Sequence, residues 1–243
     1  MSTNLPSFSE FNLESELVHN LEKLNKKVAT GPQKQLIEVL MEKNSDVILR
    51  ARKQSEMSMG YLIPMINEGI VRKKCNDSRK CVGLIITWSS EEVKSITKIA
   101  KEICEGLPIS VMSCPKKRLT LDGENDGENE YVIIVTKAVV LLKNIPNFEE
   151  LSKSLSYVVV EEALFFSFVD KNKYLVDIFK VIRNAGNNSV TTILISDDFR
   201  GNENKLEEQF LQKPLTKISL FGIGLEKHFK AKEANGIGCL NTR

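Results

Sequence analysis

Histidine is nearly missing from this 243-residue chain: His19 and His228 lie far apart, without cysteine or carboxylate partners at ligand spacing, so no structural zinc site is expected. Five cysteines (Cys75, Cys81, Cys104, Cys114 and Cys239) make an odd set with no C-x-x-C pair. That excludes a disulfide framework and leads us to expect reduced thiols in an intracellular protein. No apolar run is long enough to span a bilayer, and the polar opening residues do not read as a signal peptide. A strong charge of either sign is also lacking. The 34 lysines and arginines nearly balance 32 acids, leaving +2, so the summed field gives no reason to expect nucleic acid as a partner. Two local biases remain: Arg72, Lys73, Lys74, Arg79 and Lys80 before one strand, and Asp122, Glu124, Asp126, Glu128 and Glu130 in one loop. Both read as solvated loops.

What is present is an ordinary hydrophobic content of 42% and a length that suits one sizeable α/β domain. Short β-branched runs recur, each followed by helical periodicity, which marks a mostly parallel sheet covered by helices on both faces. The expected strands are Val47 to Arg50, Val82 to Thr87, Ile109 to Met112, Tyr131 to Thr136, Tyr157 to Val160, Thr191 to Ser196 and Lys217 to Phe221. Helices are expected near Leu13 to Leu24, Met57 to Glu68, Glu91 to Glu105, Ala138 to Leu142, Asn172 to Asn184 and Lys205 to Leu211. Gly123 to Gly127 reads as a polar insertion. Residues 1–224 read as one domain and 225–243 as a C-terminal tail.

The segment Ala51 to Ser58, A-R-K-Q-S-E-M-S, stands between the first strand and its helix, where a phosphate-binding loop would sit. Such a loop needs glycines, whose backbone N–H groups converge on the anion, and a lysine for the outer phosphates. Gln54 and Glu56 hold the glycine places and Met57 the lysine place. Glu56 repels phosphate, and the thioether of Met57 supplies no charge.

From Phe8 to about Gly224 the order of these features resembles the first RecA-like domain of DEAD-box RNA helicases, with spacing most similar to the Vasa-like branch. Phe8, Leu13 and Asn20 precede Gln33 by intervals like those of the family's isolated phenylalanine, first helix and adenine-reading glutamine, although Lys26 stands where an aromatic would stack on adenine. The family's A-x-T-G-x-G-K-T aligns with Ala51 to Ser58 and retains Ala51, Ser55 and a hydroxyl at Ser58. Trp88, Ser89 and Ser90 replace the proline, threonine and arginine that precede a retained Glu91. Thr136-Lys137-Ala138-Val139 stands for T-P-G-R, and Ser113 and Cys114 for paired glycines. The namesake box reads Val160-Glu161-Glu162-Ala163-Leu164, and S-A-T reads Ser196-Asp197-Asp198.

The resemblance implies a RecA-like, P-loop NTPase-like three-layer fold of about seven strands. Its nucleotide pocket would be degenerate at Gln33, Ser55, Glu56, Met57, Ser58, Glu161, Glu162 and Ser196. We accordingly expect no catalytic residue, no cofactor and no metal, and a chain that is not an enzyme, ending before a second RecA-like domain. The leading expectation is a pseudo-helicase adaptor or scaffold, cytoplasmic and in ribonucleoprotein granules, with RNA-silencing (piRNA-type) or RNA-granule proteins as partners, weak RNA binding and no membrane association. One alternative is an ATP-independent RNA-binding module using Lys116, Lys117, Arg118 and Lys137. Another is a metal-dependent nuclease built on Glu161, Glu162, Asp197 and Asp198, whose bland counterpart is solvated or helix-capping acids. Trp88 either plugs the cleft or stacks on a base. Phe165, Phe166 and Phe168 read as core, or, with two of them exposed, as a partner site.

Overall fold

The β-branched runs become seven strands in the computed structural model, which describes residues 5–51, 57–113, 131–144 and 148–219. They are β1 (Asp46–Arg50), β2 (Cys81–Thr87), β3 (Ile109–Ser113), β4 (Tyr131–Lys137), β5 (Tyr157–Val160), β6 (Thr191–Ser196) and β7 (Leu215–Ser219). All pair in parallel, in the order β3-β4-β2-β5-β6-β1-β7. Alternate side chains feed opposite layers: Tyr157 and Val159 of β5 enter one core, Val158 and Val160 the other. Both faces are thus apolar and both need helices.

The first layer holds α1 (Ser15–Lys23), α2 (Gly31–Glu42), α3 (Ser58–Lys74) and α4 (Ser90–Ile103); the second holds α5 (Ala138–Asn144), α6 (Phe148–Ser154), α7 (Val169–Asn184) and α8 (Glu203–Phe210). Nearly all of α3 between Ser58 and Ile70 is buried. It can press against α2 because Gly60 has no Cβ, which would sit 3.0 Å from Leu36 Cδ2. No helix among the described residues is long and apolar enough to cross a membrane.

Several expectations need correction. Helices α2 and α6 go unread in the sequence, and β7 begins two residues before the expected Lys217. The basic cluster is not wholly solvated: Arg72 is 2% exposed. Its guanidinium donates to Glu68 Oε1 (3.0 Å), Ser156 Oγ (2.6 Å) and the carbonyls of Arg79, Cys81 and Ser154. The last turn of α3 is thereby tied to the starts of β2 and β5. The insertion at 123–127, the basic triplet 116–118, Cys114 and the tail 225–243 lie outside the described residues.

Candidate functional site

In an open parallel sheet the strand carboxyl ends deliver side chains to one edge, where ligands bind. Strand β1 ends at Arg50, and the Ala51 N–H then donates to the Ser196 carbonyl at 3.0 Å, holding the ends of β1 and β6 together. Strand β5 hands on to Glu161 and Glu162, then to a 3-10 turn, Ala163–Ser167. Beyond β2, the Ser89 hydroxyl accepts the Glu92 N–H at 3.1 Å and starts α4. These ends and the heads of α3 and α4 surround a cleft of about 340 Å³.

The lining has two chemistries. Ala51, Met57, Ile96, Leu164, Phe165 and Ile195 give apolar walls, while Glu91, Glu92, Glu161, Glu162 and Asp197 give carboxylates. Ser58, Ser95 and Ser196 contribute hydroxyls. Among the described lining residues there is no lysine or arginine.

A buried phenol touches this acidic set. Tyr61, one turn into α3 and fully buried, donates its hydroxyl to Glu161 Oε1 at 2.7 Å. Burial first, and then the Glu161 carboxylate, hold its phenol well above the ordinary tyrosine range. Tyr61 therefore stays a neutral donor. Next along the chain, Glu162 adopts a left-handed conformation, φ 52° and ψ 45°, which costs a side-chain-bearing residue about 1–2 kcal/mol. A strained residue at a cleft is a feature to be explained by what the cleft does.

Met57, Ser58, Glu161, Glu162 and Ser196 thus meet at one cleft. Gln33 does not line it. Its Oε1 accepts the Thr30 N–H at 2.8 Å and its own N–H donates to Thr30 Oγ1 at 3.4 Å, so the side chain serves a reciprocal cap on α2. Ser55 and Glu56 lie outside the described residues. Trp88 is no plug: it packs edge-on against Phe166, with ring centroids 6.0 Å apart, and Lys171 Nζ lies 4.3 Å from its ring centroid. Phe166 is buried, whereas Phe165 and Phe168 are 40% and 52% exposed.

Asp197 lines the cleft but Asp198 does not. Both are exposed and belong to a turn in which Ser196 Oγ donates to the Asp198 carbonyl at 2.9 Å. Neither caps a helix, since α8 starts at Glu203 after Asn202. Among the described residues no three or more His, Cys, Asp or Glu side chains are placed to hold a metal ion, so the geometry lends the nuclease alternative no support. Sequence reading missed Tyr61 and Glu92. Tyr61 carries a usable signal, being one helical turn after Ser58, but its partner comes from a strand a hundred residues away.

No family model matches the chain. Two curated relatives do: it is 24% identical over 222 residues to the ATP-dependent RNA helicase DBP9 of Kluyveromyces lactis, and 27% identical over 226 residues to the ATP-dependent RNA helicase DBP7 of Vanderwaltozyma polyspora. The matches cover 86% and 85% of this chain but only 36% and 30% of those proteins. Among solved structures, Mss116p bound to single-stranded RNA and AMP-PNP superposes with a TM-score of 0.71 at 17% identity, over 90% of this chain and 46% of that one. Dbp5 of S. cerevisiae bound to Gle1 and IP6 gives 0.67 at 11% identity, over 89% of this chain and 53% of that one. This is a RecA-like helicase fold.

One expectation is overturned by these relatives. The chain reads from its motifs as not an enzyme, yet both curated proteins that it resembles are named ATP-dependent RNA helicases. The similarity runs over 86% and 85% of the chain, so the altered motifs do not establish that it is not an enzyme.

Proposed function

We propose that this chain is a helicase-type RecA-like domain that offers a docking surface for protein partners in an RNA–protein assembly, with residues 1–224 as the domain and 225–243 as its tail. The observation that carries the reading is the exposure of Phe165 and Phe168, 40% and 52%, on the short segment that borders the cleft. Large aromatic side chains left in water beside a concavity are the usual anchors of protein interfaces. The relatives' names supply the RNA setting, and Dbp5 bound to Gle1 supplies the example of a protein partner on this fold. A cytoplasmic granule with RNA-silencing partners is the narrower form of the proposal, and its support is the resemblance to the Vasa-like branch.

RNA at the strand-end cleft is the weaker reading, because the described lining presents five carboxylates to a polyanion. The test is affinity capture followed by reconstitution with the purified captured protein, for the wild type and for Phe165→Ser/Phe168→Ser. A defined pair that the double variant weakens about tenfold or more supports docking. Failure of every purified pair, beside RNA binding that requires ATP, overturns it.

A further inference from the structure

At the opposite edge of the sheet from the cleft lies a second cavity, of about 310 Å³. The segment before α1, the end of α2, the second half of α3 and the first residue of β5, Tyr157, enclose it. The charges that line it are answered within the chain. Glu68 receives Lys43 Nζ at 2.5 Å and Arg72 Nε at 3.0 Å, and Glu14 pairs with Lys74, which also meets Glu16. A charged guest would give up its water there without gaining an open ion pair. Asn67, also in the lining, is different. It is 5% exposed, and its Oδ1 accepts the Glu14 N–H at 2.7 Å, which orients the amide. Its Nδ2 group then has no acceptor among the described residues. A buried donor is seldom left in that state, because desolvation without a partner is costly.

We infer that this cavity is a binding site for a small neutral molecule carrying a carbonyl, such as an amide or lactam, on a short apolar body. It is separate from the strand-end cleft and independent of the docking reading. Asn67 Nδ2 supplies the donor for the carbonyl oxygen, and Leu13, Met41, Pro64 and Val71 supply apolar contact. The volume lies at the lower end of the roughly 300–1,000 Å³ of sites that enclose a ligand, which limits the guest to a few carbons. Water is the competing occupant, but each water needs about two to four polar partners, and the apolar residues of the lining offer none. One wall is already held: the Tyr157 hydroxyl donates to the Leu40 carbonyl at 3.2 Å, and Lys43 Nζ lies 5.7 Å from the Tyr157 ring centroid. Little ordering cost is then left for the moment of binding.

The full chain is titrated with isobutyramide, isobutyrate and isobutylammonium, probes of one size that differ in charge, following amide signals by NMR. Isobutyramide should move the Asn67 side-chain amide and the Asn12, Lys43 and Val71 backbone amides saturably. It should bind at least about fivefold more tightly than either charged probe, the worth of one net hydrogen bond. Asn67→Asp keeps an oxygen for the Glu14 N–H and removes the amide donor; it should weaken isobutyramide about fivefold or more. Val71→Phe adds bulk at the cavity without touching Asn67, so it tests the site even if Asn67→Asp does not fold, and it should abolish saturation. Signals from the cleft residues Glu91 and Asp197 should stay in place throughout. A charged probe that binds as tightly as isobutyramide overturns the inference, as does a folded variant that binds it like the wild type. Isobutyramide that moves none of these signals saturably overturns it too, and leaves the cavity to water.

Discussion

At the scale of single residues the cleft is shaped by compensation for charge and strain. The Tyr61 hydroxyl meets Glu161 at 2.7 Å from a fully buried position, and hydrogen bonds to charged groups contribute about 1.5–3 kcal/mol. Tyr61→Phe keeps the ring and removes the donor, so urea unfolding should show a loss of that size; a loss below about 0.5 kcal/mol would mean that the contact contributes only shape. Glu162 lies at φ 52°, where glycine is unstrained. Glu162→Gly should raise the unfolding free energy by roughly 0.5–1 kcal/mol, the relief of strain exceeding the added chain entropy. A decrease would show that the Glu162 side chain contributes more than its backbone geometry costs.

At the scale of elements, the strands and most helices were readable because both faces of the sheet are buried. Runs such as Val158-Val159-Val160 and Leu84-Ile85-Ile86 then have no polar interruption to blur them. Helix α2 was harder. Gly31-Pro32 reads as a break, although Pro at the first turn with the Thr30–Gln33 cap is a start signal. The same cap engages Gln33 through its Oε1 and its backbone N–H. At the cleft the strand ends were the legible part, and Met57, Ser58, Glu161, Glu162 and Ser196 all line it. Pairings across the chain were not. Arg72 sits among basic residues that look solvated, yet it is 2% exposed and joins α3 to β2 and β5. Arg72→Met would leave three carbonyls and the Ser156 hydroxyl without the guanidinium and Glu68 with Lys43 as its remaining cation. It should cost about 3–5 kcal/mol, the usual penalty for breaking one half of a buried pair, measured by urea unfolding. A cost near 1 kcal/mol would mean that water replaces the guanidinium.

At the scale of the whole molecule, the acid groups away from the cleft set how the sheet responds to pH. Asp77 is held down to about 2, first by the Arg79 side chain. Burial pushes Glu68 up, but Lys43 and Arg72 more than offset it and the net direction is down. Each has a folded pKa below its unfolded value of about 3.9 or 4.3. Each therefore stabilises the fold fully above that value, and its contribution fades as pH falls through the folded pKa. Asp46 works in the opposite sense: burial raises its pKa despite hydrogen bonds from the Thr192, Gln212 and Lys213 N–H groups. Acidification through its folded pKa thus relieves a penalty, while Asp77 and Glu68 have still to lose their contribution. The chain should accordingly hold its stability until about pH 4 and lose it between about 4 and 2. Asp77→Asn should flatten the lower part of that decline and leave stability above pH 5 with only the loss of the Arg79 contact. Thermal midpoints measured across this range test it, and a variant whose acid slope matches the wild type would place the transition on other carboxylates.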